Sequence, residues 1–161
     1  MNNKPYNATT FRTVDSIGYL LKVGHTMLLA NAENTFRGHD VSFLQWLMMQ
    51  KIREGHVRTP TDLCRAMHYD SGALTRLVDQ LEKSGYLERN RCEEDRRVVK
   101  LSLTGAGIAK VDELLPLVVK SLNDCCDGFS DEEFALFKQL LKKLVLRICE
   151  VNGQPVPGAM Q

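Results

Sequence analysis

The feature that most constrains this chain is the pattern over residues 59–103: two short helices joined by a turn, followed at once by a charged hairpin. Thr59-Pro60-Thr61-Asp62 is a strong helix start. Thr59 can cap, Pro60 suits the first helical position, and Asp62 can reach back from the third. The helix expected over 60–67 is short, with Leu63, Ala66 and Met67 facing inward. His68 and Tyr69 turn the chain, and Asp70 is placed to cap a second helix over 71–84. Leu74, Leu77, Val78 and Leu81 recur in that helix at helical spacing, and Gly85 closes it. Residues 86–89 and the alternating run 98–103 then read as two strands around a polar, charged tip. A helix-turn-helix followed directly by a hairpin predicts a winged helix-turn-helix over 40–103.

The flanks read as long helices. Phe11, Val14, Ile17, Leu21 and Leu28 predict an amphipathic helix over 11–36, and a further helix over 42–54 carries Phe43, Leu44, Trp46, Leu47, Met48 and Ile52. Thr104 caps a helix expected to reach Cys126, with a kink at Pro116. Ser130-Asp131-Glu132-Glu133 is a capping box opening a last helix to about Val151. Residues 1–10 read as a flexible arm and 152–161 as a disordered tail. The fold class is therefore mainly α with a small β-hairpin wing. Helix 11–36 and the helices of 104–151 carry apolar residues beyond what one small winged domain covers, among them Val14, Leu117, Phe134, Phe137, Leu141 and Ile148, which predicts a dimer.

Composition mainly excludes. The 161 residues hold no apolar run near the roughly 18 that a membrane span needs, and the polar start Met1-Asn2-Asn3-Lys4-Pro5 is unlike a secretory signal. The expected address is the cytoplasm, without membrane association. Five cysteines, Cys64, Cys92, Cys125, Cys126 and Cys149, form no CxxC or Cys/His spacing, and His25, His39, His56 and His68 are scattered, so neither metal nor cofactor is expected. No GxSxG, phosphate-cradling glycine loop or HExxH is present, and an enzyme is not expected. A net charge of +1 means that any attraction for nucleic acid rests on local placement of Lys and Arg.

Two constellations suit DNA. The helix from Ser71 opens with Ser71, Gly72, Ala73, Thr75 and Arg76 facing outward, small or polar residues that admit close approach to a major groove. Ser71 and Thr75 can bond phosphates or base edges, and Arg76 can pair with a guanine edge or a phosphate; an ordinary solvated helix face explains the same residues. The hairpin tip carries Arg91, Arg96 and Arg97 beside Glu93, Glu94 and Asp95. The acids defeat a simple basic patch, but Asp95 can hold Arg97 in a pose that suits a narrow minor groove. The competing reading is an edge hairpin kept soluble by mixed charge.

The run Ser71-Gly72-Ala73-Leu74-Thr75-Arg76-Leu77-Val78-Asp79-Gln80-Leu81-Glu82-Lys83-Ser84-Gly85-Tyr86-Leu87 resembles the recognition helix of the MarR (multiple antibiotic resistance regulator) family. Asp95-Arg96-Arg97 followed by Leu101-Ser102-Leu103-Thr104 resembles its wing pattern, D-x-R ending in L-x-L-T, and Gln45-Trp46 and residues 59–63 fall where the family has similar residues. The resemblance spans residues 11–150. It implies a homodimer interlocked through its first and last two helices, with the helix from Ser71 in the major groove and Arg97 in the minor groove, oriented by Asp95. The implied partner is double-stranded DNA, a pseudo-palindromic operator, and the implied function is transcription regulation, by analogy repression. Relatives often take small aromatic or phenolic acids between the dimer helices and the winged domain, which makes Tyr19, His25, Trp46, Met49 and Arg53 candidate ligand residues; core packing is the competing role for Trp46 and Met49. Two alternatives stand beside this: a thiol-based redox sensor, with Cys92 as its most exposed candidate, and a winged helix that binds protein instead of DNA.

Overall fold

The structure, a computed structural model, describes residues 4–55, 57–67, 69–91 and 98–156. A 3-10 turn, Thr13–Asp15, precedes α1 (Ile17–Thr35), α2 (Phe43–Arg53), α3 (Pro60–Met67), α4 (Ser71–Lys83), β1 (Leu87–Arg91), β2 (Val99–Leu103), α5 (Gly105–Cys125) and α6 (Asp131–Asn152). Most of these elements start where the sequence places a cap. The Ser42 and Ser130 side chains each accept the backbone amide three residues on, while Gln45 and Glu133 reach back to close both capping boxes. Thr59 and Asp62 bond reciprocally in front of α3, and the Thr104 hydroxyl oxygen accepts the Gly107 amide.

The first helix starts later than its apolar spacing suggests. Phe11 and Val14 precede α1, whose N-cap is Ser16, because the Ser16 hydroxyl oxygen takes the Tyr19 amide and ends the extended lead-in. The described part of the arm, expected to be flexible, is folded back: the Tyr6 hydroxyl accepts the Ile17 amide at 2.8 Å, and its ring meets Phe11 edge-on. The last helix is likewise held past its end, with the Gln154 amide donating to the Cys149 carbonyl at 2.9 Å. Residues 157–161 of the expected tail lie outside the described residues. α5 continues through Pro116 to Cys125. Pro116 and Asp112, one turn apart, both lie on the exposed side, where solvent can replace the missing donor.

β1 and β2 pair antiparallel, Leu87 opposite Leu103 and Arg91 opposite Val99. The strand starts at Leu87, one residue past Tyr86, and runs on to Arg91. One contact escapes the sequence reading: the Leu101 amide donates to the Arg58 carbonyl at 2.8 Å, so the chain just ahead of α3 is bonded to β2. One core joins the pieces. Met48, Met49, Leu63, Leu74, Leu81, Leu87 and Leu114 are all sealed from solvent, drawn from α2, α3, α4, β1 and α5. Ala66, expected inward, is exposed, and half-buried Cys64 packs beside the core.

Candidate nucleic-acid interface and effector cavity

α4 buries Leu74, Val78 and Leu81 and turns Ser71, Gly72, Ala73, Thr75 and Arg76 to solvent. Two of its N-terminal amides are already taken: the Asp70 carboxylate accepts both the Gly72 and Ala73 amides, at 2.9 and 3.0 Å. The partial positive charge of the helix end is thereby offset by a fixed carboxylate. Recognition by this end then falls mainly to side chains. The Thr75 hydroxyl donates to the Ser71 carbonyl at 2.7 Å, leaving its lone pairs outward as acceptors.

Ion pairing sorts the cations. Arg53 is paired with Asp112, Arg65 lies 3.8 Å from Asp62, and Arg89 bridges Asp79 at 2.5 Å and Glu82 at 2.8 Å. The last of these ties the base of the wing to the exposed side of α4. Among the described residues, Arg76 and Arg91 have no ion-pair partner, and both are exposed. Asp95, Arg96 and Arg97 lie outside the described residues, as does Cys92. The other cysteines are free thiols: Cys64 and Cys126 half-buried, Cys149 buried, and Cys125 exposed with the Asn31 amide at 3.2 Å. No group of three or more His, Cys, Asp or Glu among the described residues is arranged to hold a metal ion.

A second feature lies between α1, α2 and α5: a largely apolar cavity of about 240 Å³, its walls including His25, Leu28, Phe36, Phe43, Leu47 and Leu122. One wall carries a short polar rail, where the Asn31 amide donates to the Ser121 hydroxyl at 2.7 Å and the Thr35 hydroxyl approaches the same oxygen at 3.2 Å. Of the five ligand candidates read from the sequence, only His25 reaches this cavity. Trp46 and Met49 are core residues, 4% and 0% exposed. The Trp46 indole donates to the Val111 carbonyl at 3.2 Å and stacks behind Phe43 at 6.0 Å, one layer removed from the cavity. Arg53 is occupied by Asp112 at the α2–α5 contact, and Tyr19 is 40% exposed on α1 away from the cavity walls. Phe36 and Phe43 were missed as cavity residues. They flank the α1–α2 loop, and the apolar spacing that places them on their helices carries no sign of which side faces a void.

Three helices around a short antiparallel hairpin, with the third helix presenting its N-terminal half outward, define a winged helix-turn-helix protein. The family profile described as "MarR family" matches residues 42–99. Escherichia coli MarR, the multiple antibiotic resistance protein, is 32% identical over 66% of this chain and 74% of its own length. The Bacillus subtilis transcriptional repressor YetL is 28% identical over 79% of this chain and 74% of its own. The chain spans 64% of the Escherichia coli regulator PapX, at 28% identity. Among solved structures, a cysteine-to-serine mutant of Escherichia coli MarR complexed with operator DNA superposes with a TM-score of 0.74 and 26% identity, over 84% of this chain and 98% of that one. The chain belongs to the MarR family: it is a winged-helix transcriptional regulator, not an enzyme. No helix among the described residues is long and apolar enough to cross a membrane.

Proposed function

We propose that this protein is a homodimeric, sequence-specific DNA-binding repressor that a small aromatic or phenolic acid releases from its operator. The observation that carries the DNA reading is the exposed, small-residue opening of α4 with Arg76 held free of any acid among the described residues, while Arg65 and Arg89 are paired. An unpaired guanidinium on a helix narrow enough to enter a major groove is the donor that guanine edges and phosphates require. Ser71, Gly72, Ala73, Thr75, Arg76 and Arg91 form the described part of this surface. Asp95, Arg96 and Arg97 complete it on the strength of the D-x-R pattern. The relative solved in complex with operator DNA supports operator binding as the function of this surface.

The dimer reading is supported by area. The chain exposes 11966 Å², against roughly 8,100 Å² expected for a globular monomer of 18.2 kDa. Along α6 only Cys149 is buried, while Leu136, Phe137, Leu140 and Val151 are 50–69% exposed. α1 likewise shows Leu20 and Met27 to solvent, at 57% and 67%. A two-fold dimer through these helices presents two copies of α4, and its operator is pseudo-palindromic with half-sites about one helical turn apart. The unit that dimerises is α1 with α5 and α6; the unit that reads DNA is 40–103.

The apolar cavity, with His25 and the Asn31–Ser121 rail as its polar anchors, suits a compact aromatic molecule. Fluorescence anisotropy tests the whole reading, using a duplex that the wild-type chain selects from a random pool. Arg76→Ala and Arg97→Ala are each expected to cost about 1–3 kcal/mol in binding, and benzoate is expected to release the wild-type complex. Unchanged affinity and sequence preference in both variants would overturn the DNA surface assigned here.

A further inference from the structure

The corner where α4 passes into β1 is gripped from three sides. Gly85, at φ +75°, turns the chain, and the Tyr86 amide donates back to the Leu81 carbonyl at 3.0 Å. The start of α5 then closes on this corner. The Thr104 hydroxyl donates to the Gly85 carbonyl at 2.6 Å, and the Thr104 amide donates to the Tyr86 carbonyl at 3.2 Å. Gly107 lies so close that a Cβ built there would sit 2.0 Å from the Tyr86 carbonyl oxygen, an approach only glycine permits. The third grip is by side chains. The Tyr86 hydroxyl donates to Asp40, in the loop between α1 and α2, and Lys110 of α5 reaches the other Asp40 oxygen at 3.3 Å. Lys110 is only 17% exposed, is also paired with Glu113 at 2.8 Å, and lies 5.9 Å from the centre of the Tyr86 ring. The hydrogen bond from the Tyr86 hydroxyl holds the Asp40 carboxyl below its ordinary range and pushes the Tyr86 phenol up.

These partners are not scattered. The chain passes between the DNA-reading unit and the terminal helices twice, once through the α1–α2 loop and once through Thr104. Asp40 stands on the first passage, Thr104, Gly107 and Lys110 on or just past the second, and Tyr86 at the C-terminal end of the helix that carries the DNA-facing residues. Packing does not need the Tyr86 hydroxyl, since a phenylalanine ring would fill the same half-buried space. What the hydroxyl adds is a fixed connection. The consequence is one of leverage: thirteen residues of α4 span roughly 20 Å. A rotation of about 10° at the Tyr86 end would move Ser71 by roughly 3 Å, close to one base-pair rise.

We propose that Tyr86, held by Asp40 and Lys110, is a positioning joint that fixes the angle between α4 and α5 and so sets the half-site spacing the dimer accepts. This rests on the dimeric DNA-binding reading above. In sequence, Asp40 stands in the loop between Phe36 and Phe43, both walls of the cavity.

The test is spacing selectivity of the full chain, read by anisotropy on the selected duplex and on the same duplex with one base pair inserted between its half-sites. Wild type is expected to bind the inserted duplex at least about 10-fold more weakly. In Tyr86→Phe and in Asp40→Ala, a change at an exposed loop residue, that penalty is expected to fall about threefold or more while the melting temperature drops only slightly and both variants stay folded. Asp40→Asn keeps an acceptor for the phenol and should retain most of the penalty. A residue that merely supports folding would weaken both duplexes together and leave their ratio unmoved. An unchanged ratio in Tyr86→Phe and Asp40→Ala, with selective binding intact, overturns the joint and leaves the DNA reading standing. A wild-type chain that does not distinguish its selected duplex from a scrambled one overturns that reading, and the joint with it.

Discussion

Leu63 in α3 and Leu140 in α6 are both leucines on amphipathic helices, yet the first is 0% exposed and the second 54%. The contrast holds for the regions around them. In the winged region, Leu63, Leu74, Val78, Leu81, Leu87 and Leu101 converge on Met48 and Met49 from four directions and leave almost no apolar surface. In α6, an equally regular apolar repeat meets little of its own chain, and Phe137, Leu140 and Ile148 remain open. Hydrophobic periodicity thus states that a face must be covered without stating by what. The winged region supplies its own cover; the terminal helices require a second copy under the dimer reading, and that requirement makes the spacing of two DNA-reading helices a property of the molecule.

The largest effect that can break this comparison comes from charge on α6. Phe137→Glu combined with Leu140→Glu should abolish the dimer, seen as a halved mass in sedimentation velocity, while the winged region stays folded by circular dichroism; an unchanged mass would mean these faces are simply solvent-exposed. Next in size is the closed core. Leu63→Ala should destabilise the fold by about 2–5 kcal/mol in chemical denaturation, since a sealed site cannot refill; a loss below about 1 kcal/mol would mean α3 is not locked in the core. The smallest effect concerns the connection between the regions. Asp40 has its carboxyl held below the ordinary range, so its contribution is complete above about pH 4 and fades as acid protonates it. The difference in melting temperature between wild type and Asp40→Asn should therefore shrink as pH falls from neutrality to below the ordinary carboxylate value. A difference that grows on acidification would reverse the sign assigned to this group.

Much of the winged region was legible because its signals are local. Thr59, Pro60 and Asp62 mark a helix start whatever surrounds them, and Asp70, Thr104 and Ser130 cap where their spacing says they should. Local signals also failed in a consistent way. Phe11 and Val14 fit the period of α1, but the Ser16 hydroxyl stops the helix short of them. The cavity was the least legible part. Trp46 and Met49 look like ligand residues by type, and the structure puts them in the core; Phe36 and Phe43 are cavity walls because α5 crosses at that point, a tertiary fact with no counterpart in the spacing of either helix. The grip on Tyr86 was equally hidden, since Asp40, Tyr86 and Lys110 come from three separate stretches of chain.

The most direct test of the central claim is the affinity of the wild-type chain for a duplex it selects from a random pool, against a scrambled duplex, at two salt concentrations. The account predicts a preference of at least about 10³-fold for the selected duplex, with affinity for it falling steeply as salt rises because phosphates are neutralised by residues such as Arg76, Arg91 and Arg97. A pool that does not enrich, or equal and weak binding to both duplexes, would contradict it and leave the winged region as a surface for a partner other than DNA.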